Sequence, residues 1–273
     1  MSVSEQFPVI GGRPPRIEVR NPAGSVTVQA VEGAARLEVS VEPLDDAAEQ
    51  LLDRVEVDVR EGDADSPTRL RVTVPERRLL RTPAFAVRIT TPAGTAARIA
   101  VASADVELTG RLGALDLSSA SADLDVEQGT DVRLRTASGD ARVGIVDGGG
   151  SIASASGDVR VGRAAGTLQL RTASGDVSVE QAGADVAIST ASGDVTVAAA
   201  TGGVVQVKTV SGDASVGVVP GLRVWLDLSS VSGRMESQLD DEAAGDGPPE
   251  LTLNLRSVSG DMRIHRTTAV PVV

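Results

Sequence analysis

The chain has 273 residues and a formal net charge of −12, from 26 basic and 38 acidic side chains. It has no cysteine, and its only aromatic residues are Phe7, Phe85 and Trp225. This composition excludes disulfides and thiolate chemistry, disfavours nucleic acid or an anionic membrane as partner, and leaves Val, Leu, Ile and Ala to build a thin core.

In chain order, Met1–Gly12 shows no leader pattern, and no apolar run is long enough to span a membrane. On those grounds the expected location is cytoplasmic, without support for surface display. Alternating runs predict strands at Ile17–Arg20, Val26–Ala30, Leu37–Val41, Val55–Arg60, Leu70–Val74 and Phe85–Thr90. Pro43–Arg54 predicts one short helix that starts at Leu44, with Leu51, Leu52 and Val55 on its apolar side. Asn21-Pro-Ala-Gly24 and Thr91-Pro-Ala-Gly-Thr95 resemble altered copies of a turn that recurs later in the chain. Residues 1–95 thus read as an irregular β region that caps the repeats beginning at residue 96.

From residue 96 to 266 a repeat dominates. Its clearest unit is Leu168-Gln-Leu-Arg-Thr-Ala-Ser-Gly-Asp-Val-Ser-Val179. The turn position is held by Asp105, Asp123, Asp140, Asp158, Asp176, Asp194, Asp213, Arg234 and Asp261, and six of the eight intervals lie within one residue of 18. Each unit carries two runs of period two, separated at Gly-Asp and closed by a looser glycine corner. This pattern predicts an all-β fold, a parallel β-solenoid with two strands and about 18 residues per coil. One inward ladder is expected to run Ile99, Leu117, Leu134, Ile152, Leu170, Ile188, Val207, Leu228, Leu255. The post-turn ladder should close with Ala214, Met235 and Met262. Thr172 and Ser174 continue the inward parity, so both are expected to face the core. Asp240–Glu250, acidic and rich in Gly and Pro, reads as an insert that stretches the last interval to 27 residues and covers Trp225. Residues 267–273 form a tail.

The Thr-Ala-Ser-Gly-Asp-Val units, Val224-Trp-Leu-Asp-Leu-Ser-Ser-Val-Ser-Gly-Arg234 and Arg256-Ser-Val-Ser-Gly-Asp-Met-Arg-Ile264 together resemble the bacterial putative-adhesin β-strand-repeat family. That family is a domain of unknown function common in actinobacteria. The resemblance covers nearly the whole chain. It implies a β-solenoid fold with an adhesin-like role, and it brings no catalytic residues with it.

The aspartate ladder invites two chemical readings. Carboxylates about 5 Å apart suit a glycosidase, but a uniform ladder singles out no site and aromatic sugar platforms are scarce. Calcium-binding β-rolls also have 18-residue coils, but they carry aspartate at both corners, and here only one corner does. The reading favoured is a structural turn ladder in a non-enzymatic structural or interaction module, without cofactor or metal, that presents flat β-faces to an unidentified protein or glycan; a calcium-stabilised roll is the alternative and a polysaccharide-acting enzyme comes third. His265, the only histidine, is expected on the surface. Trp225, at an outward parity, and Arg234, where the aspartate series breaks, are the candidate interaction residues. Oligomeric state stays open.

Overall fold

A computed structural model describes residues 2–9, 13–63, 65–75, 82–239 and 247–267. Residues 240–246 of the insert and 268–273 of the tail lie outside the described residues. The protein is all-β, and its coils pair strand beside strand in parallel, as the repeat predicts. The chain divides into two compact units, Met1–Asp140 and Ala141–Val273.

The first unit begins with β1 (Val3–Pro8), β2 (Arg16–Val31) and β3 (Arg36–Pro43), succeeded by helix α1 (Asp46–Glu49). It continues through β4 (Glu56–Arg60), β5 (Arg69–Thr73), β6 (Phe85–Pro92), β7 (Ala96–Ser121) and β8 (Leu124–Ser138). The helix is shorter than its sequence suggests. Asp45 caps it by accepting the Ala48 N–H at 2.7 Å, Ala48 and Leu51 are buried, and Leu44 stays exposed. Strand β2 forms a coil of its own. Its Val19 and Val28 lie beside Ile99 and Leu108 of β7 on one side. On the other side they lie beside Val72 of β5 and Ile89 of β6. The first coil in the chain is therefore hydrogen-bonded between two later segments.

The turn at Asn21-Pro-Ala-Gly24 takes the place of the repeat's turn. Gly24 has φ +109°, and a Cβ there would fall 2.1 Å from the Phe85 carbonyl oxygen. The buried Asn21 amide closes the turn by donating to the Ser25 and Phe85 carbonyls at 3.1 and 2.9 Å. Thr91–Thr95 differs from expectation, because it forms the opposite, looser corner. The Thr95 hydroxyl donates to the Pro92 carbonyl, and the Thr91 and Thr95 hydroxyls meet at 2.8 Å. Antiparallel additions finish this unit: β4 on β5, and β3 then β1 on β6. Three of the five residues of β4 are charged and β1 ends in proline, both devices that blunt an edge.

The second unit starts with β9 (Ala141–Val146), β10 (Gly150–Ser154), β11 (Val159–Ala164), β12 (Leu168–Ser174) and β13 (Val177–Ala182). Strands β14 (Val186–Ser192), β15 (Val195–Ala200), β16 (Gly203–Ser211) and β17 (Ala214–Val218) come next. The unit ends with β18 (Val224–Ser232), β19 (Met235–Ser237), β20 (Leu251–Ser259) and β21 (Met262–Arg266). Ile152, Leu170, Ile188 and Val207 stack in register as expected. The order then changes. Leu255, not Leu228, lies beside Val207, and Leu228 lies on the far side of Leu255. Likewise Met262 separates Ala214 from Met235. The last coil in the chain has slipped beneath the one before it, so the 27-residue interval contains a return past a coil as well as an insert. In each unit the coil nearest the chain terminus is paired on both sides, which removes the fraying expected of a terminal strand.

The turn also departs from simple alternation. Thr172 is buried and donates its hydroxyl to the Ser174 carbonyl at 2.9 Å, but Ser174 itself is exposed. Ser154 and Thr190 make the same bond, at 3.0 and 3.1 Å. Inward parity thus ends one position earlier than expected, because the bend begins before the glycine. From Gly157 through Gly175, Gly193, Gly212 and Gly260 to Gly233, φ opens in spatial order: 110°, 112°, 128°, 131°, 138° and 143°. As the turn opens, the serine carbonyls of the last three coils accept N–H groups from neighbouring glycines: Gly193 to Ser211, Gly212 to Ser259 and Gly260 to Ser232. Thr209, Ser257 and Ser230, whose hydroxyls would otherwise use those carbonyls, are left without partners.

Candidate functional site

The aspartate ladder is an inter-coil hydrogen-bond device. In the second unit the N–H groups of Asp176, Asp194, Asp213 and Asp261 donate to Oδ1 of Asp158, Asp176, Asp194 and Asp213, at 2.8–3.0 Å. In the first unit Asp123 and Asp140 donate to Asp105 and Asp123 at 3.3 and 2.9 Å. Each carboxylate holds the turn of the coil stacked beyond it, as side-chain acceptors at turns commonly do. The Arg234 N–H donates to Asp261 at 2.8 Å. No described strand lies beyond that coil, so position 234 has no amide to receive and needs no carboxylate. Other carboxylates do the same work at the opposite corner, where the Gly110, Val204 and Arg223 N–H groups donate to Glu127 at 2.7 Å, Asp185 at 2.9 Å and Glu250 at 3.1 Å. The sequence pattern does not mark them, because only Asp131 repeats the place of Asp185, three residues before an inward aliphatic.

Among the described residues no three His, Cys, Asp or Glu side chains gather to hold a metal ion. His265 is half-buried beside Gly217, with Nδ1 unpartnered; it is not the surface residue expected. No described helix is long and apolar enough to cross a membrane.

Trp225 and Arg234 share the outermost coil of the second unit, but they do not converge. Trp225 is the second residue of β18 and Arg234 lies past its end at Ser232, and the strand from Trp225 to Ser232 spans roughly 23 Å at the usual rise. Among the described residues β18 pairs only with β20, and no described strand covers its other side. The strand is nine residues long, and Asp227 is its only charged residue. It therefore carries fewer of the charges that discourage strand addition than β4 does.

The outward face of β16, β20 and β18 is built in rows. Trp225 lies beside Thr252, as Val204 does on the opposite side. In the middle Arg256 lies between Lys208 and Ser229 and reaches Asp227 at 3.7 Å. At the turn end Val210, Val258 and Val231 stand 54%, 49% and 82% exposed, where earlier coils carry Ala155, Ala173 and Ala191. Trp225 is 63% exposed. The described end of the insert is held away at the strand's start, where Arg223 binds Glu250 at 3.1 Å and the Pro248 carbonyl at 3.0 Å.

A family model for the Toastrack domain, DUF4097, matches residues 16–265. The chain belongs to the Toastrack DUF4097 family. No curated protein matches this Toastrack chain. Among solved structures it is similar to a putative cell adhesion protein from Clostridium sporogenes, at 10% identity over 97% of this chain and 100% of that one, with a TM-score of 0.29. A putative adhesin from Parabacteroides distasonis shares 12% identity over 96% and 97% of the two chains, with a TM-score of 0.35. A putative lipid binding protein from the same species shares 9% over 98% and 97%, with a TM-score of 0.33.

Proposed function

We propose that this Toastrack chain is a non-enzymatic interaction module that engages a protein or glycan partner through the outer coil of its second unit. The observation that carries this reading is a β18 edge with no partner strand among the described residues, flanked by an exposed Trp225 and an exposed Val231. An extended polypeptide would gain main-chain hydrogen bonds along β18, with side-chain contacts at alternate positions. A sugar ring would instead stack on Trp225.

The aspartate ladder serves the frame rather than a reaction in this reading, because one oxygen of each bonded carboxylate is already committed to a neighbouring amide. The same commitment weighs against a calcium roll, since hard cations need six or more converging oxygens.

The test is a screen of extended peptides and of glycans with the wild-type chain, Trp225→Ala and Val231→Lys. A ligand held by the wild type and weakened at least tenfold by both variants supports the site and shows which partner class it takes. Equal retention by all three sinks it. Hydrolase or lyase turnover that dies with a single aspartate substitution would sink the non-enzymatic reading.

A further inference from the structure

A cleft of about 360 Å³ opens on the outer face of β4, β5, β2 and β7 in the first unit. Arg16, Arg60, Arg69, Arg71 and Arg98 line it against only two carboxylates, Glu18 and Asp58, which leaves it three charges positive in a chain of net −12.

The register arranges these charges in rows across the strands. In one row Asp58, Arg71, Glu18 and Arg98 succeed one another on adjacent strands, with signs alternating. Glu18 binds Arg71 at 3.1 Å and Arg20 at 3.1 Å. The next row places Arg60 opposite Arg69 and Arg69 beside Arg16, three like charges on three neighbouring strands. Like charges placed directly opposite destabilise a sheet. Arg60 has only a long contact, 3.8 Å, to the Asp58 of its own strand. Arg16 and Arg69 have no ion-pair partner among the described residues. Alternation in one row and its failure in the next mark a place where positive charge is concentrated without an internal counter-charge.

We infer that Arg16, Arg60 and Arg69 form a binding site for a phosphate- or sulfate-type oxyanion. Neighbouring strands lie about 4.8 Å apart, so a tetrahedral oxyanion over Arg69 can be reached by the planar forks of all three guanidinium groups. The site is open to solvent, and its affinity must fall with ionic strength.

The experiment titrates the full chain with inorganic phosphate, with chloride adjusted to constant ionic strength, and tracks binding by calorimetry. Saturable binding that Arg69→Gln and Arg16→Gln each weaken about tenfold, the loss of one strong contact, is the expected result. Arg88→Gln, which removes an ion pair with Glu42, should leave it unchanged. Because the substitution relieves like-charge repulsion, Arg69→Gln should melt no lower than the wild type without phosphate. A merely structural arginine would show the opposite. Equal binding by wild type and Arg69→Gln, no saturation, or a response matched by chloride alone would overturn the inference. Vesicles of phosphatidylcholine with and without phosphatidic acid separate the sources. Arg69-dependent sedimentation with phosphatidic acid assigns the oxyanion to a lipid headgroup, and phosphate binding without sedimentation assigns it to a soluble ligand.

Discussion

Gly175→Ala should damage the second unit far more than Asp176→Ala, although the aspartate is the more conspicuous residue of the repeat. Gly175 has φ +112°, and an added Cβ would lie 2.3 Å from the Gly157 carbonyl oxygen and 2.7 Å from its carbon. Both atoms belong to the backbone of the stacked coil and cannot turn aside. A Cβ added at Gly193 would likewise fall 2.2 Å from the Gly175 carbonyl oxygen, so the turns are stacked too closely for one to shift without the next. Backbone strain of about 1–3 kcal/mol and overpacking of about 1–3 kcal/mol together predict a loss of about 3–5 kcal/mol. Asp176→Ala removes one acceptor, for the Asp194 N–H at 2.9 Å, at an exposed corner where water can replace it. That costs about 1 kcal/mol. Urea unfolding monitored by far-ultraviolet circular dichroism measures both. At about 3 °C per kcal/mol the glycine variant should melt roughly 10–15 °C lower and the aspartate variant about 3 °C lower. An aspartate variant as unstable as the glycine variant, or a glycine variant within about 1 kcal/mol of wild type, would refute the reasoning.

Coil order can be read by cross-linking, because the chain has no native cysteine. Lys208→Cys with Arg256→Cys should oxidise to a disulfide, since the two positions are register partners. Lys208→Cys with Ser229→Cys, two strands and about 9.6 Å apart, should stay reduced, and the reverse outcome would restore sequential stacking. Arg234→Asp should change stability by less than about 0.5 kcal/mol, because no described coil presents an amide to it, whereas Asp261→Ala should cost about 1 kcal/mol by releasing the Arg234 N–H. Thermal melts of the two variants decide this, and a clear stabilisation by Arg234→Asp would mean that another strand lies beyond β18.

Much of the fold is legible in the sequence because the repeat carries its own geometry. Period-two runs place Leu170, Ile188 and Val207 inside, and in the second unit the glycine before each turn aspartate marks a bend at positive φ, where glycine is favoured. Coil order is less legible. An 18-residue period says which residues align but not which coil is the neighbour, and β16 pairs as well with β20 as it would with β18, the next coil in sequence. The short β1 is not legible either, because Val3 and Phe7 are too far apart to show alternation. The arginine row is hidden for a different reason. Arg16, Arg60 and Arg69 are ordinary strand residues until an antiparallel and a parallel pairing bring them side by side.

Departures from the repeat are more informative than the repeat itself once the hydrogen bonds are assigned. An aspartate is required wherever one coil must hold the amide of the next, so its replacement at Arg234 coincides with the end of that requirement. Alanine gives way to Val210, Val258 and Val231 over the same three coils, where the turn opens and the buried hydroxyls lose their acceptors. Only the β18 coil lacks a described neighbour on one side, yet the same changes already appear in β16 and β20, which are paired on both sides. The other described edges, β4 and β1, are blunted by charge and proline. An edge left long, nearly uncharged and bordered by Trp225 is the surface that the proposed function assigns to a partner.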